Sequence, residues 1–294
     1  MCSLVVGLLL LLSLTVESAF AADSLTVVVS GSYRGRLDGC HCPYGSKGGI
    51  APRAALMKRL FPTGFPLGLD CGGYLDLDPE GGQSRSLCSL IGLRQQGLEV
   101  IFAGARDLFY GENYLKRTAD SAGVVLVCAN IVREPGGESL FDHWRVVERD
   151  GWCIAVTGVA EYLEGQRFPG VECWRVVPPD STVGELRRTQ PPDADLVVLL
   201  TEMNEKSLQA FLPEFPEAEL VFTSNRLIKQ PSPFWVGSSL VIHPQPDGGF
   251  IDVVKIPPGW SGKDSIVFES HILKADTPPD AATLKWMRKC LGWD

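Results

Sequence analysis

The chain has 294 residues, 45% of them hydrophobic and 21% charged, with 27 Lys plus Arg against 35 Asp plus Glu and a net charge of -8. This is a globular composition, which excludes a disordered or collagen-like chain. A net-acidic surface repels phosphate backbones and excludes a non-specific nucleic-acid binder.

Residues Val5 to Leu14 are almost continuously apolar, and Ala19-Phe20-Ala21 supplies a small-x-small cleavage pattern. The run is short for a bilayer span, so residues 1–21 read as a signal peptide and 22–294 as the mature, periplasmic or otherwise secreted domain. The membrane is then met only through that signal. Leu25 to Gly31 is a β-branched run expected as a buried strand, and the Gly-rich Ser32 to Gly49 as a loop. Ile50 to Phe61 reads as a helix with Pro52 in its first turn. A strand over Pro66 to Asp70, a helix over Ser84 to Gln96, a strand over Leu98 to Ala103, a helix over Asn113 to Ala122 and a strand over Val124 to Cys128 follow. Trp144 to Val147 and Trp152 to Val156 flank Asp150-Gly151, a hairpin signal. A helix around Leu186 ends near Pro191-Pro192. Strands are expected at Asp195 to Thr201, Glu219 to Thr223, Ser239 to His243, Phe250 to Ile256 and Ser265 to Leu273, and a helix at Ala281 to Leu291. Alternating strands and helices that give way to hairpins predict an α/β fold. Its two mixed sheets would pack face to face with helices outside.

Eight cysteines remain after the signal: Cys40, Cys42, Cys71, Cys88, Cys128, Cys153, Cys173 and Cys290. Export places them in an oxidising compartment. Cys128 and Cys153 fall in strand-like runs and read as small buried hydrophobes.

The order of loop signatures resembles the metallophosphoesterase domain of bacterial 5′-nucleotidases, the calcineurin-like phosphoesterase fold. The likeness runs from about Leu25 to Ile256. Gly39-Cys40-His41-Cys42-Pro43 followed by Lys47 to Ala55 is similar to the segment after that family's first metal-binding loop. Leu69-Asp70-Cys71-Gly72-Gly73 resembles Leu-Asp-Ala-Gly-Asp, Phe102 to Asp107 resembles Val-Gly-Asn-His-Glu, and Val127 to Ile131 resembles the Ala-Ala-Asn-Ile strand end. Pro246-Asp247-Gly248-Gly249-Phe250 has the look of the closing strand. The resemblance implies a four-layer sandwich forming a single domain over 22–294, with no counterpart of the family's second, nucleotide-specificity domain.

A two-metal phosphoesterase needs oxygen and imidazole ligands around both cations. At the positions the resemblance assigns to them, the Asp-x-His becomes Ser32-Tyr33-Arg34 and the bridging Asp becomes Gly73. The Asn-His pair becomes Ala105-Arg106, the His after the Leu-Leu-Thr strand becomes Glu202, and the Gly-His-x-His loop becomes Ser224-Asn225-Arg226-Leu227. Arginine repels a cation and cannot ligate one. The expectation is a metallophosphoesterase-like protein that has lost its two-metal site, a pseudoenzyme for that chemistry. The alternative is a residual metal-dependent phosphohydrolase of 5′-nucleotidase type.

Two readings of what replaced the metals stay open. Arg34 and Arg106 place permanent positive charge where metals sat and suit an anion, or else they pair with Asp70, Asp107 or Glu202. Cys40, Cys42 and Cys71 are brought to the same edge by the resembled fold, with Cys128 on a neighbouring strand. They can form a redox centre with a redox partner protein, or a soft-metal site for zinc or copper that includes His41. They can also form a structural staple in which Cys40 or Cys42 bridges Cys71 or Cys88. No other cofactor is implied, and the partner otherwise expected is a small molecule. Gly48-Gly49 with Arg53 is a weaker anion cradle. Trp144, Trp152 and Trp174 read as strand packing, and His143, His243 and His271 are scattered.

Overall fold

The structure, a computed structural model, describes residues 23–42, 45–161, 173–260 and 266–293, without the side chains of 40–47. The expected signal peptide lies outside the described residues. In chain order the first half contains β1 (Leu25–Ser30), β2 (Cys40–Cys42), β3 (Gly45–Lys47), α1 (Ile50–Leu60), β4 (Leu67–Asp70), α2 (Gly82–Arg94) and β5 (Leu98–Phe102). It continues with α3 (Glu112–Ala122), β6 (Val125–Val127), β7 (Ile131–Arg133), β8 (Trp144–Arg149), β9 (Trp152–Val159) and β10 (Trp174–Val176). The second half holds α4 (Val183–Thr189), β11 (Leu196–Thr201), α5 (Glu205–Phe211), β12 (Leu220–Thr223), β13 (Phe234–Val236), β14 (Ser239–Ile242), β15 (Phe250–Ile256), β16 (Val267–Ile272) and α6 (Ala281–Leu291).

Two six-stranded mixed sheets form the body, in the orders β16-β15-β1-β4-β5-β6 and β13-β14-β12-β11-β9-β8. Within the first, β1, β4, β5 and β6 are parallel. Within the second, β9, β11, β12 and β14 are parallel. The buried parallel strands read as continuous apolar runs, as in Leu196–Thr201, because both faces are covered. The sheets meet through β5, β6, β9 and β11, where Val100, Phe102, Ile154, Val156, Val198 and Leu200 are fully buried. Gly158 lets the Phe102 ring in, since a Cβ there would lie 2.6 Å from it. The hairpin β8–β9 turns on Asp150 (φ 53°) and Gly151 (φ 79°), the paired positive φ of the tight turn its sequence predicts.

Two expectations need correction. The Ser32–Gly49 segment is not all loop, because β2 and β3 pair as a short ribbon with Cys40 opposite Lys47. The staple also differs: Cys88 on α2 bonds Cys290 on α6, 202 residues away, while Cys71 is a free, buried thiol. The C-terminal helix was recognised but not its place beside α2, so that pairing was invisible in sequence. No helix among the described residues is long and apolar enough to cross a membrane.

Candidate functional site

The carboxyl ends of parallel strands from both sheets open on one cleft of about 710 Å³. Open α/β sheets commonly bind ligands at such an edge. Seven of the eight positions that the resemblance assigns to metal ligands line it: Ser32 and Arg34 after β1, Gly73 after β4, Arg106 after β5, Glu202 after β11, and Asn225 and Leu227 after β12. The eighth, Ala105, is buried beside them and donates its N–H to Glu202.

The loops after β1 and β4 are zipped together by backbone hydrogen bonds. Ser32 donates to the Gly72 carbonyl (2.8 Å), Arg34 to Gly73 (3.1 Å) and Gly35 to Tyr74 (2.6 Å). Ser32 (φ 51°) and Arg34 (φ 58°) adopt left-handed backbone, as does Asp247 (φ 65°) on the loop before β15. Three of the four non-glycine residues in that region among the described residues therefore stand at the cleft. Each costs about 1–2 kcal/mol, and such strain gathers at functional sites.

The arginines converge on Asp247. Arg36 lies 3.6 Å and Arg34 3.8 Å from its Oδ1, and Arg226 hydrogen-bonds its Oδ2. Three guanidinium groups thus share one carboxylate. Burial draws Arg34 below its ordinary pKa, Arg226 draws it further, and Asp247 opposes; Arg106 and Arg36 add to the lowering. The Arg106 guanidinium is exposed in the cleft, with no hydrogen bond or salt bridge among the described residues, and its charge acts on Glu202 and Arg34. The expected partners are corrected for Arg34, which pairs with Asp247, and neither Asp70 nor Asp107 takes an arginine; Glu202 feels the Arg106 charge without a salt bridge to it.

Those two carboxylates turn inward. Asp70 accepts from Ser30 Oγ (2.6 Å) and the Gly72 N–H (2.8 Å), and burial pushes it up to about 6. Asp107 accepts from the N–H groups of Gly73 (3.0 Å), Tyr74 (3.1 Å) and Gly104 (3.2 Å), so it ties the loop after β4 to the loop after β5. Burial raises Asp107 to about 7 against those bonds, with Asp70 adding. Glu202 is likewise raised to about 7, by burial first and then by Asp107 and Glu161. Asn225 serves the loop: its Nδ2 donates to the Glu202 carbonyl (2.8 Å) and its Oδ1 accepts from Leu227 N–H (2.9 Å).

The metals of the resembled family do not fit the donor set at the positions the resemblance assigns to their ligands, because Gly73, Ala105 and Leu227 offer no donor head, Arg34 and Arg106 carry positive charge, and Glu202 alone supplies a carboxylate. Among the described residues no group of three or more His, Cys, Asp or Glu is placed to hold a metal ion. Cys71 and Cys128 are free and fully buried, and neither lines the cleft. Burial pushes Cys71 well up, with Asp70 adding, and Cys128 up to about 12, the reverse of what a thiolate nucleophile requires. The side chains of Cys40, His41 and Cys42 lie outside the description, so the proposed thiol pair and its zinc or copper role are left to sequence. Arg53 is withdrawn from the anion cradle: it is 4% exposed and donates to Gln96 (2.8 Å). His143, His243 and His271 face Ser139, the Gln230 carbonyl and Glu269 respectively, away from the cleft. Trp144 and Trp152 donate to Thr189 and the Asp23 carbonyl, as strand packing requires.

Sequence reasoning missed Arg36, Asp247 and the role of Arg226. The signal lay in plain view: three arginines in two Gly/Ser-rich loops, and an Asp-Gly-Gly turn before a strand.

No protein-family model and no curated protein sequence matches the chain. Solved structures do. The chain is similar to the sulfate thiohydrolase SoxB of Thermus thermophilus, with a TM-score of 0.72 and 15% identity over 91% of this chain and 60% of that one. It is similar to a 5′-nucleotidase precursor from Thermus thermophilus, with a TM-score of 0.70 and 17% identity over 92% and 59%. It is also similar to the calcineurin-like phosphoesterase YfkN of Bacillus subtilis, with a TM-score of 0.63 and 14% identity over 92% and 99%. The chain thus spans about 60% of the length of the first two. At these identities the likeness shows the fold: two mixed sheets and flanking helices in the metallophosphoesterase arrangement.

Proposed function

We propose that this chain is an exported binding protein for anions. On this reading a guanidinium cluster has replaced the two-metal centre of a metallophosphoesterase scaffold. The observation that carries the reading is the convergence of Arg34, Arg36 and Arg226 on the single carboxylate of Asp247, with unpaired Arg106 close enough to perturb Arg34. Three cations on one anion leave a local excess of guanidinium charge around Asp247, on the opposite side of the balance from the Asp38, Glu161 and Glu202 carboxylates that line the same cleft, and guanidinium groups match oxyanions with paired, charge-assisted hydrogen bonds. The strained backbone at Ser32, Arg34 and Asp247 supports a site kept for use.

In this site the protein's own groups do the binding. Arg34 and Arg106 face the ligand, Asp247 gathers the guanidinium heads, and Asp107 holds the loop that carries Arg106. No hydrolytic step is assigned. A titration of inorganic sulfate and phosphate against the protein in excess chelator, followed by thermal shift, tests the reading. Stabilisation by either anion that Arg34→Ala and Arg106→Ala each reduce at least tenfold in apparent affinity is the expected result. An anion response unchanged in both variants overturns it. Export is tested separately, by N-terminal sequencing of the mature protein, which is expected to begin after Ala21.

A further inference from the structure

The cleft is larger than an inorganic anion requires. Its volume of about 710 Å³ falls in the range that holds small organic ligands. Beside the guanidinium groups it is walled by Leu37, Leu75, Leu77 and Leu227. Leu227 is the anomaly, since it is 77% exposed next to Arg226 while its neighbour Ile228 packs into the core beneath β12. It is not a loose side chain on a loose loop. Its N–H is held by Asn225 Oδ1, Asn225 Nδ2 is anchored on the Glu202 carbonyl, and the Asn225 N–H donates to Thr223 Oγ1 (3.3 Å). A large apolar side chain is therefore presented to water on a pinned turn, at the edge of the recess that holds the guanidinium groups.

Resting on the anion-binding reading, we infer that the ligand is an organic anion with an apolar body, its charged head on the arginines and its body against Leu227 and Leu77. Leu37 and Leu75 are already buried, so an inorganic ion, which fills only the head position, leaves Leu227 and the edge of Leu77 wet. An apolar body covers them, and burying a leucine-sized surface contributes about tenfold in affinity.

The probes are methylphosphonate and naphthylmethylphosphonate, which share one head group and differ in the body. Calorimetric titration is run in chelator on wild type, Leu227→Ser and Leu77→Ser. Leu227 is exposed, so its variant leaves folding intact. The expected result is that the naphthyl compound binds about tenfold more tightly to wild type. Leu227→Ser should remove most of that gain without changing methylphosphonate affinity. Equal affinity for the two probes, or a gain that survives in both leucine variants, overturns the inference and leaves the anion reading standing. Failure of both probes to bind overturns both.

Discussion

At the scale of single residues, the site's loops are held by carboxylates that accept from backbone amides. Asp107 shows this most clearly, because one carboxylate accepts three backbone N–H groups from two loops. Asp107→Ala strands those buried donors and is expected to cost on the order of 3 kcal/mol, read as a lower urea midpoint. A loss below about 0.5 kcal/mol would show that the loops hold without it. Asp247 has the opposite role of holding like charges together. Asp247→Asn leaves Arg34, Arg36 and Arg226 without a shared counter-charge, and since these groups are about a third exposed the expected loss is only about 1 kcal/mol. Added sulfate is expected to restore the melting temperature of this variant by more than it raises wild type. Equal shifts would mean that the guanidinium cluster does not take the anion.

At the scale of elements, the strands and helices of both halves were legible because each carries its own local signal. Leu196–Thr201 is an unbroken apolar run, Asp150-Gly151 marks a hairpin, and Pro52 opens a helix. The expected spans agree with the observed ones to within one or two residues for most elements. Missed were β7, β10, β13 and α5, which are three to seven residues long and too short for periodicity to register. Contacts between distant elements were also illegible. Nothing local says that α6 lies on α2, with Trp286 against Gly92, or that Cys88 meets Cys290 across 202 residues. Closing so long a loop restricts the unfolded chain, so reduction of this bond, or Cys88→Ser, is expected to lower stability by about 2–5 kcal/mol. The measurement is a urea midpoint with and without reductant, and an unchanged midpoint would contradict the pairing.

At the scale of the whole molecule, the parallel strands of two mixed sheets direct their carboxyl ends to one edge, and the fold concentrates buried acids there. Asp70 at about 6 and Asp107 and Glu202 at about 7 sit above their ordinary 3.8, 3.8 and 4.5. The native state therefore keeps protons that the unfolded chain has released between about pH 4 and pH 7. Stability falls as pH rises through that window and levels off above it. A urea midpoint higher at pH 5 than at pH 8 is expected, and the reverse order would contradict these ionisations. Asp280, held down to about 2 by Lys58, acts with opposite sign but only at more acidic pH. The cleft-lining place of Ser32, Arg34, Gly73, Arg106, Glu202, Asn225 and Leu227 was legible once the resemblance fixed the loops. The guanidinium cluster was not, because Asp247 meets Arg34 and Arg226 only after the sheets close.

On the proposed reading, guanidinium groups do at this edge what cations do in the metallophosphoesterase fold. Calorimetric titration compares sulfate, with the protein held in excess chelator, with manganese, with the protein in buffer free of chelator. Saturable one-to-one sulfate binding that Arg34→Ala and Arg106→Ala weaken is expected, with no stoichiometric uptake of manganese. Two manganese ions bound per chain, with sulfate binding absent or indifferent to both arginines, would contradict it.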